Sequence, residues 1–241
     1  MKPCSLLPPS SGKKRGRPIH GPTPTSTTAG AAAQLAVAAD VADIGSLIKI
    51  DEKINNPVDF LKSLFSLSDT TKKWMEKKQR KNPVGFGRPS EDAVEAYDLI
   101  VVRAIRERNV DKLRAMLEEG RKFDASNRFG ESLIHMACRR GDLGVIQFLI
   151  DEANVRLDVA DDFGRTPLHD ACWTSKPNLD VVGLLLKKIP PSMLLMEDVR
   201  GHTPFCYARK EHRPTWVAFL RDNAHHILQR VSIVQAIELL D

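Results

Sequence analysis

Two histidines of the 241-residue sequence stand in matching contexts. His135 lies in Glu-Ser-Leu-Ile-His-Met-Ala and His169 in Arg-Thr-Pro-Leu-His-Asp-Ala. An imidazole can serve as a general base or a metal ligand. Base catalysis needs a nucleophile at its side, and no recognisable motif places one there. Ser132 stands three residues before His135, where a helix-capping hydroxyl belongs. Cys138 and Cys172 also share one position. They read as small packing residues, because a zinc cage needs closely spaced ligand pairs. His202 and Cys206 supply one pair at helical spacing and nothing completes it, while His225-His226 reads as a surface pair. Gly85-Phe86-Gly87 is too short for a dinucleotide loop. The residues therefore point to a non-enzyme that needs no metal and no cofactor.

A different chemistry is written in Lys13-Lys14-Arg15-Gly16-Arg17-Pro18. A glycine lets backbone lie on the floor of the minor groove, and flanking arginines extend along a narrow A·T tract, where the potential is most negative. Lys13 and Lys14 would add phosphate contacts that carry no sequence information. The segment resembles an AT-hook, whose core is Arg-Gly-Arg-Pro, and the resemblance implies A·T-rich DNA as a partner. It departs from that pattern downstream, where Ile19-His20-Gly21-Pro22 carries no Lys or Arg. A nuclear-import patch, a solvated basic tail and an organelle transit peptide stay open beside it. Lys72, Lys73, Lys77, Lys78, Arg80 and Lys81 form a second basic cluster around Trp74, and a solvated helix face is its simplest reading.

The elements that carry these residues divide by composition. Residues 1–90 hold 15 Lys and Arg against 7 Asp and Glu, and residues 91–241 hold 21 against 24, so a basic arm precedes a slightly acidic body. Residues 1–33 are dominated by Pro, Ser, Thr, Gly and Ala and hold no acid, a composition that cannot bury enough surface to offset ordering, and they are expected to be disordered. Residues 34–89 are expected to be a basic, partly helical linker region. Val37, Val41, Ile44 and Ile48 recur at helical spacing, and Asn56-Pro57 opens a helix with Val58, Leu61, Leu64 and Phe65 on one face, which calls for docking either on the body or on a partner. No apolar run approaches the roughly 20 residues that span a bilayer. Four cysteines are too few for a disulfide scaffold and fit a reducing compartment, nucleus or cytoplasm.

From Ser90 the chain repeats itself. Gly130-Glu-Ser-Leu-Ile-His-Met-Ala137, Gly164-Arg-Thr-Pro-Leu-His-Asp-Ala171 and Gly201-His-Thr-Pro-Phe-Cys-Tyr-Ala208 are related, and Ala104–Gly120 aligns with Ala137–Ala153 without gaps. The period and the Thr-Pro-Leu-His-x-Ala signature are similar to those of ankyrin repeats. The predicted fold is all-α: an ankyrin-type helix-pair solenoid over 90–222, with repeats at 92–125, 126–159, 160–196 and 197–222, preceded by the largely disordered basic region. Thr166 and Pro167 suit the cap and first position of a helix. Ala137, Ala171 and Ala208 are small where helices approach. Val145, Ile146, Leu149, Ile150, Val181, Val182, Leu185, Leu186, Val217 and Leu220 give the second helices apolar faces that only stacking covers. Ile189-Pro190-Pro191 and Trp173–Leu179 read as surface insertions at turns. Residues 223–241, with Ile227, Val231, Val234 and Ile237 on one side, are expected to cap the end.

The resemblance implies that His135 and His169 hydrogen-bond the Ser or Thr at the helix start. It also implies a monomeric protein-interaction scaffold whose unknown protein partner touches hairpin tips and exposed first-helix positions. Those tips are Arg128, Phe129 and Glu131, then Asp162, Phe163 and Arg165, then Val199, Arg200 and His202. The helix positions are Arg139, Arg140, Trp173 and Thr174. Aromatic and arginine residues together have the composition of interface hot spots.

Overall fold

The computed structural model describes residues 50–79 and 89–238. Eleven α-helical segments, one π-helical turn (Phe148–Glu152) that continues the seventh of them, and short 3-10 turns account for the helices among them, and one isolated antiparallel bridge joins Ser126 to Ser132. The helices are α1 (Pro57–Phe65), α2 (Asp69–Gln79), α3 (Glu91–Ala96), α4 (Leu99–Arg106), α5 (Val110–Glu118), α6 (Leu133–Arg140), α7 (Leu143–Gln147), α8 (Pro167–Cys172), α9 (Leu179–Lys188), α10 (Arg213–Asp222) and α11 (Ala224–Glu238). The expected disorder of residues 1–33, the helix at 34–50 short of Ile50, and the hook of Lys13–Pro18 lie outside the described residues.

Local chemistry sets the pairs. The second helices of the first three repeats start on an Asx side chain: Asn109 accepts from Lys112 N–H at 2.9 Å, Asp142 from Val145 N–H at 2.9 Å, and Asn178 from Val181 N–H at 3.2 Å. These bonds satisfy amide donors that a helix start leaves without partners. Ser90 also caps, accepting from Ala93 N–H at 3.2 Å, as the sequence predicts. Its helix α3 ends at Ala96, and a new cap at Asp98 starts α4. The second helices bury Val145, Ile146, Leu149, Val181, Val182, Leu185, Leu186, Val217 and Leu220 in one continuous core, as expected of a stack. Ala104, Ala137 and Ala171 are buried in the first helices.

Two expectations fail in instructive ways, and one choice that the sequence leaves open is decided. Ala208 is buried but not helical. Pro204–Tyr207 is a 3-10 turn, and Ala208 follows it in extended conformation. Cys206 stands where the histidine belongs, so Thr203 meets only a thiol at 3.3 Å and the capping box is not closed. The Ile189-Pro190-Pro191 stretch is no surface insertion. It leads into a 3-10 turn, Pro191–Leu195, whose Met193, Leu194 and Leu195 are buried. Residues 57–79 of the expected linker region dock on the repeats, one of the two places the sequence leaves open for them. Helix α1 packs on α10 and on the Pro191–Leu195 turn, burying Phe60, Leu61 and Leu64 completely, although the sequence pattern had left Phe60 off the apolar face. Arg221 of α10 lies 5.4 Å above the Phe60 ring and donates to the Ile50 carbonyl. Trp74 of α2 donates its indole N–H to Glu238 of α11 at 3.0 Å, and Lys78 pairs with the same carboxylate. The N-terminal helices thus cover the C-terminal end of the stack. Helix α11 seals that end with Ala224, Ile227, Leu228 and Val231, whereas Val234 is half-buried and Ile237 is exposed.

Two outcomes test this architecture. Phe60→Ala removes a fully buried ring and should lower unfolding stability by about 3–5 kcal/mol in urea titration. Gly130 and Gly201 both sit at positive φ, +78° and +75°. A Cβ on Gly130 would lie 3.2 Å from Asp161 Cα, whereas nothing stands near one on Gly201. Gly201→Ala should therefore cost about 1 kcal/mol of backbone strain, and Gly130→Ala measurably more. Thermal melts that rank the two variants the other way would refute the close approach.

Candidate protein-interaction surface

Three hairpins share one construction. Gly130, Gly164 and Gly201 donate to the carbonyls of Asn127, Asp161 and Asp198, each at 2.9 Å. The side chains of the same three Asx residues accept two further amides each: Phe129 and Glu131 on Asn127, Phe163 and Arg165 on Asp161, Arg200 and His202 on Asp198. Neighbouring hairpins are tied edge to edge, Asp162 N–H to the Phe129 carbonyl and Val199 N–H to the Phe163 carbonyl, both at 2.9 Å. This saturation holds the tips still, so the side chains between the Asx and the Gly are turned outward. Phe129 and Phe163 are 54% and 45% exposed, each with a guanidinium over its ring, Arg128 at 5.3 Å and Arg165 at 5.1 Å.

The histidines set the tilt of each first helix. His135 Nδ1 accepts from Ser132 N–H at 3.2 Å and lies 2.7 Å from its hydroxyl; His169 does the same with Thr166 at 3.0 and 2.9 Å. Each is a capping box with imidazole in the place of the usual carboxylate. The opposite nitrogen reaches the next hairpin. His135 Nε2–H donates to the Arg165 carbonyl at 2.8 Å and His169 Nε2–H to that of His202 at 3.1 Å. Burial pushes both imidazoles down to about 4, so they are neutral near pH 7, and with Nδ1 accepting an amide and Nε2–H donating to a carbonyl neither nitrogen is left free to take a proton from a substrate.

Beside the second of these histidines several side chains predicted separately come together. Trp173 is 51% exposed. The guanidiniums of Arg139 and Arg165 stand 5.9 and 5.8 Å from its ring, and Tyr207 lies 5.9 Å away, tilted at 51°. His202 meets the other side of Tyr207 edge-on at 5.8 Å. Arg139 is gripped by Asp170, through Nε at 3.2 Å and Nη2 at 3.1 Å, and by Glu131 at 2.8 Å. Arg165 is held by Asp161 at 2.8 Å. Asp170 and Asp161 are 1% and 2% exposed. Burial raises the Asp170 carboxyl despite Arg139. Burial works the same way on Asp198, but bonds from the Tyr207 hydroxyl and two backbone amides win and hold it low. Burial and that bond push Tyr207 up to about 12.

Glu131, Arg139, Arg165, Trp173 and His202 thus form one strip with Phe163. Arg128 and Phe129 form a separate tip. Arg140 donates to the Arg106 carbonyl at 3.4 Å, away from the indole. Thr174 is turned into its own loop, bonded to the Lys176 carbonyl at 2.6 Å. Asp162, Val199 and Arg200 are exposed at the tips. Sequence reading missed Asp161, Asp170, Asp198 and Tyr207. The recurring Asx-x-x-Gly before each repeat signature would have found the first and third; nothing local marks the others.

Among the described residues no group of His, Cys, Asp and Glu is arranged to hold a metal, and no helix is long and apolar enough to cross a membrane. Cys138 and Cys172 are buried free thiols whose ionisation burial disfavours. The histidine bridges give a pH dependence. An imidazole that titrates near 6.5 unfolded and near 4 folded lets the unfolded chain bind the extra proton. Its contribution is intact above pH 6.5 and is lost as pH falls from there towards 4, by up to about 3 kcal/mol per histidine. Asp170, with its raised carboxyl, acts in the opposite sense. Chemical denaturation at pH 7 and pH 4.5 should show a large fall, flattened in the His135→Gln/His169→Gln variant.

Residues 101–193 match the family model described as ankyrin repeats (3 copies). A search of curated proteins returns no match for the chain. Paired helices, tied hairpins and histidine capping boxes occur over the same residues that the family model covers, and residues 101–193 carry ankyrin repeats.

Proposed function

We propose that this chain is a non-catalytic adaptor that recruits a protein partner through its hairpin tips and the inner face of its first helices. The carrying observation is Trp173, a large exposed ring flanked by two arginines that buried carboxylates hold in place. A rigid aromatic with arginine beside it loses little conformational freedom on association, which is what distinguishes a hot spot from a neutral contact. Ankyrin repeats are generally protein-interaction modules, and the surface offers neither a nucleophile with its base nor a metal cage. Phe129, Phe163, Arg128, Asp162, Val199 and Arg200 would extend the contact along the tips, with Arg140 and Thr174 at its margin.

A second reading adds a tether. Lys13, Lys14, Arg15, Gly16, Arg17 and Pro18 are the residues of a minor-groove hook, and the arm that bears them joins the described chain at Ile50, beside α10. On this reading the adaptor works in the nucleus, with the arm on A·T-rich DNA and the repeats on a regulator.

Quantitative affinity capture from cell extract, with the intact chain against Trp173→Ala and Phe163→Ala variants of unchanged circular dichroism, tests the first reading. Specific partners should fall roughly tenfold or more in each variant; capture indifferent to both substitutions removes this surface as the recruiting one. For the tether, anisotropy should show preference for A·T-rich over G·C-rich duplex, abolished by Arg15→Ala/Arg17→Ala. Equal binding to both duplexes, unaltered by the substitutions, would dismiss the hook.

A further inference from the structure

From the strip Phe163, Arg165, Arg139, Trp173, Tyr207 and His202 we infer that the recruited partner presents a proline-rich segment in extended, polyproline conformation. The inference rests on the reading of this strip as the recruiting surface. Its first ground is the inventory of hydrogen-bonding groups. The carboxylates are spent: Asp161 on Arg165 and two amides, Asp170 on Arg139, Glu131 on Arg139 and Asn127, Asp198 on Tyr207 and two amides. The donors are not. Among the described residues, Nη1 of Arg139, Nη1 of Arg165 and the indole N–H of Trp173 have no acceptor. A ligand that completes this strip brings acceptors and few donors. Proline lacks the amide N–H, and a polyproline helix turns its carbonyls outward with no internal bonds.

The second ground is shape and apolarity. Trp173 and Tyr207 stand 5.9 Å apart at 51°, two faces that are neither stacked nor perpendicular. Arg165 bridges the Trp173 ring to that of Phe163. Adjacent exposed aromatic faces can receive proline rings, and such contacts gain from a ligand already ordered before it binds. The third ground is charge. The two guanidiniums are held by three carboxylates, Glu131, Asp161 and Asp170, so their charge is already offset before a polyanion arrives. That disfavours an acidic peptide and single-stranded nucleic acid, either of which would otherwise suit arginine beside tryptophan.

The test uses the intact chain and an arrayed panel of synthetic peptides with proline at every third position. Matched peptides with alanine for proline, glutamate-rich peptides and an oligothymidine serve as competitors. Proline-rich members should bind and move the emission of Trp173, which is separable from that of Trp74 and the buried Trp216 by its absence in Trp173→Ala. That variant should bind roughly tenfold or more weakly, and Trp173→Phe, which keeps a ring but loses the donor, should fall between. A panel that binds no better than its alanine controls, or a glutamate-rich or nucleic-acid ligand that competes with equal strength, overturns the inference. If Trp173→Ala still strips partners in affinity capture, only the ligand class fails and the recruiting surface stands. The chain's own Pro8, Pro9, Pro22 and Pro24 are a rival occupant. Their joint replacement by alanine should leave peptide affinity unchanged; a roughly tenfold gain would assign the strip to this chain's own arm instead of a partner.

Discussion

A pair of hydrogen bonds on one imidazole carries the register between neighbouring repeats. The imidazole of His135, and again that of His169, accepts at Nδ1 from the start of its own helix and donates at Nε2 to the carbonyl of the next hairpin. A single neutral ring can do both because its two nitrogens have opposite roles in one tautomer. Protonation would turn the acceptor into a donor facing an N–H, so burial and geometry demand the same uncharged state. The helix start, the hairpin and the distance between repeats are therefore fixed by one side chain, and the Asx bonds within each hairpin have a firm base to work from. Where Cys206 replaces the imidazole, the helix tightens to a 3-10 turn and the regular repeat stops.

The interaction surface inherits this rigidity. Arg165 belongs to the hairpin whose carbonyl His135 holds, and His202 to the hairpin held by His169. Arg139 is fastened across repeats to Asp170, which stands next to His169 in the chain. The exposed indole of Trp173 thus sits among groups whose own freedom has already been removed by burial. The loop that carries Trp173 is longer than its counterpart in the preceding repeat, which lets the ring leave the core and lie over the arginines.

At the far end a different solution covers the last apolar face. The 3-10 turn of Pro191–Leu195 and helices α10 and α11 leave a surface that α1 and α2, from before the repeats in sequence, close over. Phe60 under Arg221, and Trp74 bonded to Glu238, join residues more than a hundred positions apart. The basic first part of the chain is thereby anchored at the C-terminal end of the slightly acidic stack.

The sequence by itself determined the repeats, because period and capping chemistry are local: Thr166-Pro167 and Asn178 start helices wherever they stand, and a stripe such as Val181, Val182, Leu185 and Leu186 must be covered by something. It also determined which tip residues face outward, since an Asx-x-x-Gly turn ejects the side chains between its ends. Only the tertiary structure decided which of those residues meet. Asp170 lies inside a helix signature and Tyr207 in its degenerate copy, and neither announces a partner; they become parts of the strip because stacking places successive repeats side by side. The docking of residues 57–79 was beyond local reading for the same reason. An amphipathic helix states that it needs an apolar surface, and the choice among the two ends of the stack and another molecule depends on which face is left open once all the others have packed.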